Sequence, residues 1–145
     1  MLQDAGHNVV VNIKERTLTH AELLEAVAAH RPHALLTLLT DTVDEAVITA
    51  SPNLQIVANY AVGYNNIDIA AAKKHSIVVT NTPDVLTNAV AEHTFALILA
   101  IARRIGEGER MMRSGTFSGW KPEMLIGMEL KEMQLGLIGA GRIGS

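Results

Sequence analysis

The sequence contains no cysteine, few aromatic residues and little net charge. Without cysteine it has neither a disulfide framework nor thiolate chemistry. Aromatic residues make up 3% of the chain, too few for a base-stacking surface. A formal net charge of −3 gives no electrostatic basis for binding nucleic acid or an anionic membrane. No apolar run reaches the ~18 residues that suggest a membrane span. The opening stretch, Met1 to Asn12, lacks a basic region ahead of its apolar residues, so no signal peptide is predicted. A cytoplasmic protein is the expectation. There are no internal repeats and no low-complexity segments.

What is present is a core. The 145 residues are 48% hydrophobic and 19% charged, which argues against disorder and suffices for an ordinary domain. Short apolar runs alternate with helical spacing. Val9–Ile13, Ala34–Leu39, Leu54–Tyr60 and Ser76–Thr82 have strand character. Leu18–His30, Asp44–Ser51 and Asn66–His75 have helical character, with Thr19 and Glu22 spaced as a capping box. Short strands buried on both faces, joined by helices, predict a parallel sheet with crossovers and hence an α/β fold.

Beyond Pro83 the texture changes. Val85–Ile105 reads as one long helix, apolar nearly all round between Ala89 and Ala102, as in helices buried between layers or partners. Helix is expected to continue through Met112. A polar loop carrying Trp120 and Pro122 follows, then a last strand at Gln134–Ile138. The boundary is placed between residues 1–84 and 85–145.

That last strand feeds Gly139-Ala140-Gly141-Arg142-Ile143-Gly144. A GxGxxG pattern alone is weak. After an apolar strand and before an opening helix, it has the context of a dinucleotide-binding turn. Gly139 would permit the tight turn, Gly141 would let backbone approach a pyrophosphate, and Gly144 would let helix and strand pack closely. Helix-start N–H groups would meet the phosphates.

Two further loops follow strand ends, where ligands sit in open parallel sheets. In Asn59–Asp68, the turn Val62-Gly63-Tyr64 can present backbone N–H groups to a carboxylate; the alternative is a plain connection with Asn66 capping the next helix. In Thr80–His93, Pro83 ends the strand direction, and Asp84 or Thr87 caps the long helix.

Taken together, Asn59–Ile105 and Ser114–Ser145 resemble the D-2-hydroxyacid dehydrogenase family, in its glyoxylate/hydroxypyruvate reductase branch. The resemblance covers essentially the whole chain. It implies a flavodoxin-like parallel-sheet unit plus the first strand of a Rossmann dinucleotide-binding domain. It also implies reduction of a small 2-keto acid to the 2-hydroxy acid with NAD or NADP. By position, the backbone of Val62 and Gly63 matches the loop that binds the substrate carboxylate. Leu86, Thr87 and Val90 match the segment beside the nicotinamide. Gly139, Gly141, Arg142, Ile143 and Gly144 match the pyrophosphate turn. Trp120 matches a loop near the dimer interface that approaches the substrate site of the partner subunit. The long helix resembles the interdomain and dimer-forming helix, which implies a homodimer in the full-length relative.

The departures are as specific. The Arg, His and Glu that the resemblance implies for catalysis are expected beyond Ser145, so no catalytic residue is assigned here. Val9–Ile13 would be the family's second strand, leaving the first unit without its opening strand. The chain is therefore expected to be a truncated segment, inactive alone. Two other readings are a dehydrogenase-fold peptide-binding module of the corepressor kind and a non-functional remnant.

No metal site is expected, since Pro32 breaks the helix that would align His30 with His33. His93 is expected to pack in its helix, and His7, His20 and His75 to lie at the surface. Asp41, Asp44 and Glu45 lack the acidic pair that a phosphoacceptor site would need. Met111, Met112, Met124, Met128 and Met133 are expected to pack.

Overall fold

The computed structural model describes residues 1–145, which form two compact units, Met1–Pro83 and Asp84–Ser145. The first is an α/β unit: α1 (His20–His30), β1 (Ala34–Thr37), α2 (Glu45–Ala50), β2 (Ile56–Asn59), α3 (Ile69–Lys74) and β3 (Val78–Thr80). The strands are parallel in the order β1-β2-β3, and each pair is joined by a helix. Leu35 lies opposite Val57, and Ala58 opposite Thr80.

Each helix of this unit starts on a side-chain cap, which satisfies an N–H that has no partner within the helix. Thr19 Oγ1 accepts from the Glu22 N–H while the Glu22 carboxylate accepts from the Thr19 N–H, completing the capping box of α1. Arg16 and Lys14 also bind Glu22, at 2.7 and 2.6 Å. Their hydrogen bonds, that from Arg16 foremost, hold the Glu22 carboxyl well below the usual carboxylate range. Asp44 caps α2 through the Val47 N–H at 3.0 Å, and Asp68 caps α3 through the Ala71 N–H at 2.9 Å.

The core comprises Val27 of α1, Val43, Val47, Ile48, Leu54, Val57, Ile67, Ala71 and Ala72. Helix α1 packs on α2 and α2 on α3, so the helices share one face of the sheet. Leu35, Val57 and Val79 point into that core. The strands were expected to be buried on both faces, and here the structure differs. Leu36 and Val78, which alternate with the core residues along their strands, are exposed. With period-two alternation and helices on one side only, the alternate residues of the outer strands β1 and β3 are left bare, while Ile56 and Ala58 of central β2 are half-buried.

Val9–Ile13 forms no strand, contrary to expectation. A strand needs a neighbour to take its N–H and C=O groups, and the ladder ends at β1. The Asn12 carboxamide makes local bonds instead, donating to the Arg16 carbonyl at 3.0 Å and accepting from the Lys14 N–H at 2.9 Å. Such side-chain bonds compete with regular structure. Helix α3 also starts later than expected, at Ile69, because Asp68 rather than Asn66 caps it.

The second unit holds α4 (Thr87–Ala102) and α5 (Ile105–Arg113), which pack on each other. The expected single helix over Val85–Ile105 is broken at Arg104, in the left-handed region with φ 54. The Ala102 carbonyl accepts from the Met128 N–H at 2.7 Å. Gly127 lies so close to Ala102 O that any Cβ would stand 2.3 Å from it. The returning chain thus takes over a helix-end carbonyl. Neither of the expected caps serves α4: Leu86 is its first flanking residue, with no side-chain cap bond. No residue of α4 is buried, and Phe95, Leu97, Leu99 and Ile101 are exposed.

Gln134–Ile138, expected as the final strand, pairs with no other strand and is exposed throughout. The reason is again the missing neighbour. No helix is long and apolar enough to cross a membrane.

Candidate functional site

In the first unit the chain leaves β2 at Asn59 and loops through Tyr60–Asp68 to α3. Asn59 is 2% exposed and forms the hub of the loop. Its Oδ1 accepts from Thr37 Oγ1 at 2.9 Å, tying it to the buried end of β1. Its Nδ2 donates to the Gly63 carbonyl at 2.8 Å and to Asn66 Oδ1 at 3.1 Å. Asn66 Nδ2 donates in turn to the carbonyls of Leu38 at 3.0 Å and Asp41 at 2.9 Å. The Asn66 carbonyl accepts from the Val43 N–H at 2.8 Å. Asn66 therefore fastens two loops to each other, a role different from the helix cap weighed for it. Every buried side-chain polar atom is satisfied.

The end of β3 completes the loop's support. The Thr82 N–H donates to the Ala61 carbonyl at 2.9 Å, and Asn81 Nδ2 donates to the Val62 carbonyl at 2.8 Å. Val62 and Gly63 are exposed at the carboxyl ends of the strands. A cleft of about 490 Å³ lies beside the loop, with Tyr64, Ile69, Lys73, Ser76, Thr80 and Asn81 among its lining. The carboxylates with lowered pKa near here, Asp44 and Glu45, are occupied elsewhere: Asp44 by the Val47 N–H first, Glu45 by Lys74 first and His75 next.

Asn59, Asn66 and Asn81 were not singled out as site residues from sequence. A signal existed. β2 and β3 are each followed or closed by asparagine, as Ala58-Asn59 and Thr80-Asn81, and the observed register sets Ala58 against Thr80. Two carboxamides at equivalent strand ends flank the same loop.

In the second unit, Leu86, Thr87 and Val90 occupy the start of α4, with Leu86 and Val90 exposed. Trp120 is 80% exposed. Gly139 has φ 91, a conformation that favours glycine. A Cβ on Gly144 would stand 2.4 Å from the Gly139 carbonyl, so the turn closes only on glycine. The Gly144 N–H donates to the Gly141 carbonyl at 3.0 Å. These positions form a tight turn, with residues 142–144 in a hydrogen-bonded turn rather than a helix. Arg142 pairs with Asp84 at 2.7 Å, bringing the glycine turn against the approach to α4.

The family model for the D-isomer specific 2-hydroxyacid dehydrogenase catalytic domain matches residues 1–134. A glyoxylate reductase of Pyrococcus furiosus is 47% identical over 135 residues, covering 90% of this chain and 40% of that protein. The chain thus spans about two fifths of the length of such curated relatives. A crystal structure of a Thermus thermophilus protein superposes with TM-score 0.91 at 40% identity, over 99% of this chain and 45% of the other. The D-lactate dehydrogenase of Aquifex aeolicus, solved with NAD and lactic acid, gives TM-score 0.69 at 31% identity, over 88% of this chain and 36% of the other. A parallel α/β unit with an open loop at its strand ends, together with a family match across residues 1–134, makes this chain a member of the D-isomer specific 2-hydroxyacid dehydrogenase family.

Proposed function

We propose that this chain supplies the substrate-carboxylate loop, and the start of the cofactor site, of an NAD- or NADP-dependent reductase. Its substrate is a small 2-keto acid such as glyoxylate or hydroxypyruvate. The observation that carries this reading is the exposed Val62–Gly63 turn, whose N–H groups have no acceptor within the chain. Consecutive free amides form a concavity that suits an anion. A carboxylate is the anionic group common to these acids, and holding it places the adjacent keto carbon.

Residues 1–84 are the substrate-domain segment in this reading, and residues 85–145 hold the interdomain helix and the opening of the dinucleotide-binding domain. Leu86, Thr87 and Val90 would lie beside the nicotinamide. Gly139, Gly141, Arg142, Ile143 and Gly144 would hold the pyrophosphate. The bound nicotinamide would supply the hydride. Trp120 would lie near a dimer interface and approach the substrate site of the partner subunit. The exposed apolar surface of α4 is the surface a homodimer would cover in the full-length relative, a cytoplasmic enzyme.

No residue of this chain is assigned as the catalytic Arg, Glu or His, and turnover by these 145 residues alone is not expected. The test is calorimetry with NADH and NADPH, paired with a glyoxylate-dependent absorbance assay. Weak or absent cofactor binding without turnover agrees with the reading. Turnover by the 145-residue chain would refute the claim that other residues carry the catalysis.

A further inference from the structure

Three consecutive peptide groups in the Tyr60–Asp68 loop are held by their carbonyl oxygens. The Thr82 N–H binds Ala61 O, Asn81 Nδ2 binds Val62 O, and Asn59 Nδ2 binds Gly63 O. Every peptide bond in the chain is trans. In a planar trans peptide the C=O and N–H point in opposite directions. Fixing the carbonyls of residues 61, 62 and 63 therefore aims the N–H groups of Val62, Gly63 and Tyr64 away from the three donors. None of those N–H groups has an acceptor in the chain.

The three donors are not equivalent. Asn59 also satisfies Thr37 and Asn66 inside the unit, so its loss would disturb the core. The Thr82 donor is backbone. The Asn81 side chain makes a single hydrogen bond, to Val62 O, at a partly exposed position.

We infer that Asn81 is a positioning residue for the substrate: by holding Val62 O it orients the Gly63 N–H toward the bound carboxylate. The inference rests on the carboxylate reading of this loop and adds Tyr64 N–H as a third donor. A wandering Val62–Gly63 peptide would have to be ordered on each binding event, and that ordering weakens affinity.

The test is a titration of the 145-residue chain with oxalate, a two-carbon stand-in for glyoxylate, followed through backbone amide NMR shifts. In the unaltered chain, the Val62, Gly63 and Tyr64 amides should shift saturably. Asn81→Leu keeps the shape but removes the donor. It should weaken oxalate binding by roughly three- to tenfold, the worth of one hydrogen bond. Asn81→Gln, which retains a donor, should recover part of the loss. The thermal midpoint should stay near that of the unaltered chain, because Val62 O can turn to water. Should Asn81→Leu fail to fold, Asn81→Ala makes the same comparison. Equal oxalate affinity in the unaltered and donor-less chains overturns the inference while leaving the carboxylate reading intact. A loss of affinity matched by loss of fold in both donor-less variants also overturns it, since Asn81 would then be structural. Absence of any shift at Val62–Tyr64 in the unaltered chain overturns the carboxylate reading and this inference with it.

Discussion

Replacing Asn59 by alanine should strike both the stability of the first unit and the geometry of its loop. The side chain is 2% exposed and meets three partners. Removing it leaves the Thr37 hydroxyl, also 2% exposed, with no acceptor. A buried donor so orphaned costs about 1–3 kcal/mol. The bonds to Gly63 O and Asn66 Oδ1 sit nearer solvent, where water can replace them, and add about 0.5–1.5 kcal/mol together. The expected loss is thus about 1.5–4.5 kcal/mol, a large share of the ~5–15 kcal/mol that holds an ordinary domain together. Urea denaturation followed by far-ultraviolet circular dichroism would measure it. A double-mutant cycle isolates the buried pair. Thr37→Val removes the stranded hydroxyl, so Asn59→Ala with Thr37→Val should cost less than the two single changes added together, by about 1 kcal/mol or more. Additive costs, or a single-variant loss below about 0.5 kcal/mol, would refute the claim that this buried pair holds the strand ends in place.

Two other outcomes follow from the same structure. Ile48 is 2% exposed at the centre of the core, so Ile48→Ala should lower stability by about 2–5 kcal/mol in thermal or urea unfolding, through lost burial and the cavity left behind. Glu22 is held below its ordinary value of 4.5 by Arg16, Lys14 and the Thr19 N–H. Its contribution is therefore present above that value and lost as the pH falls below it. Acid titration of stability should show a smaller slope below about pH 4.5 in Glu22→Gln than in the unaltered chain.

The exposed N–H groups of the Val62–Gly63 loop illustrate how a site can be built from groups common to every residue. Asn59 and Asn81 hold the Gly63 and Val62 carbonyls from behind and leave the front of the loop open, while Asn66 holds the Leu38 and Asp41 carbonyls of the neighbouring loop. Their chemistry is ordinary; adjacent parallel strand ends bring Asn59 and Asn81 to one loop, and Asn66 within that loop meets Asn59. A motif search for reactive side chains passes over such residues.

Local signals in the sequence settled the parts of this protein that depend on near neighbours. Thr19 with Glu22 and the alternation of short apolar runs with helical spacing were enough for α1, α2 and a parallel α/β sheet, because caps and periodicity act over a few residues. At the glycine pattern the chain makes a tight turn, with φ 91 at Gly139 and Gly144 lying against the Gly139 carbonyl. What the tertiary structure decided is pairing. Val9–Ile13 and Gln134–Ile138 have strand composition, yet neither becomes a strand, because a ladder needs a second chain segment alongside. Arg104 ends a helix that the pattern alone would continue, because Met128 returns to claim the Ala102 carbonyl. The three asparagines acquired their roles only in the fold: β1 beside β2 sets Thr37 against Asn59, the loop after β1 meets Asn66, and β3 beside β2 brings Asn81 to the loop. Propensity is carried by neighbours along the chain, whereas the partners that satisfy a backbone group come from anywhere in the fold.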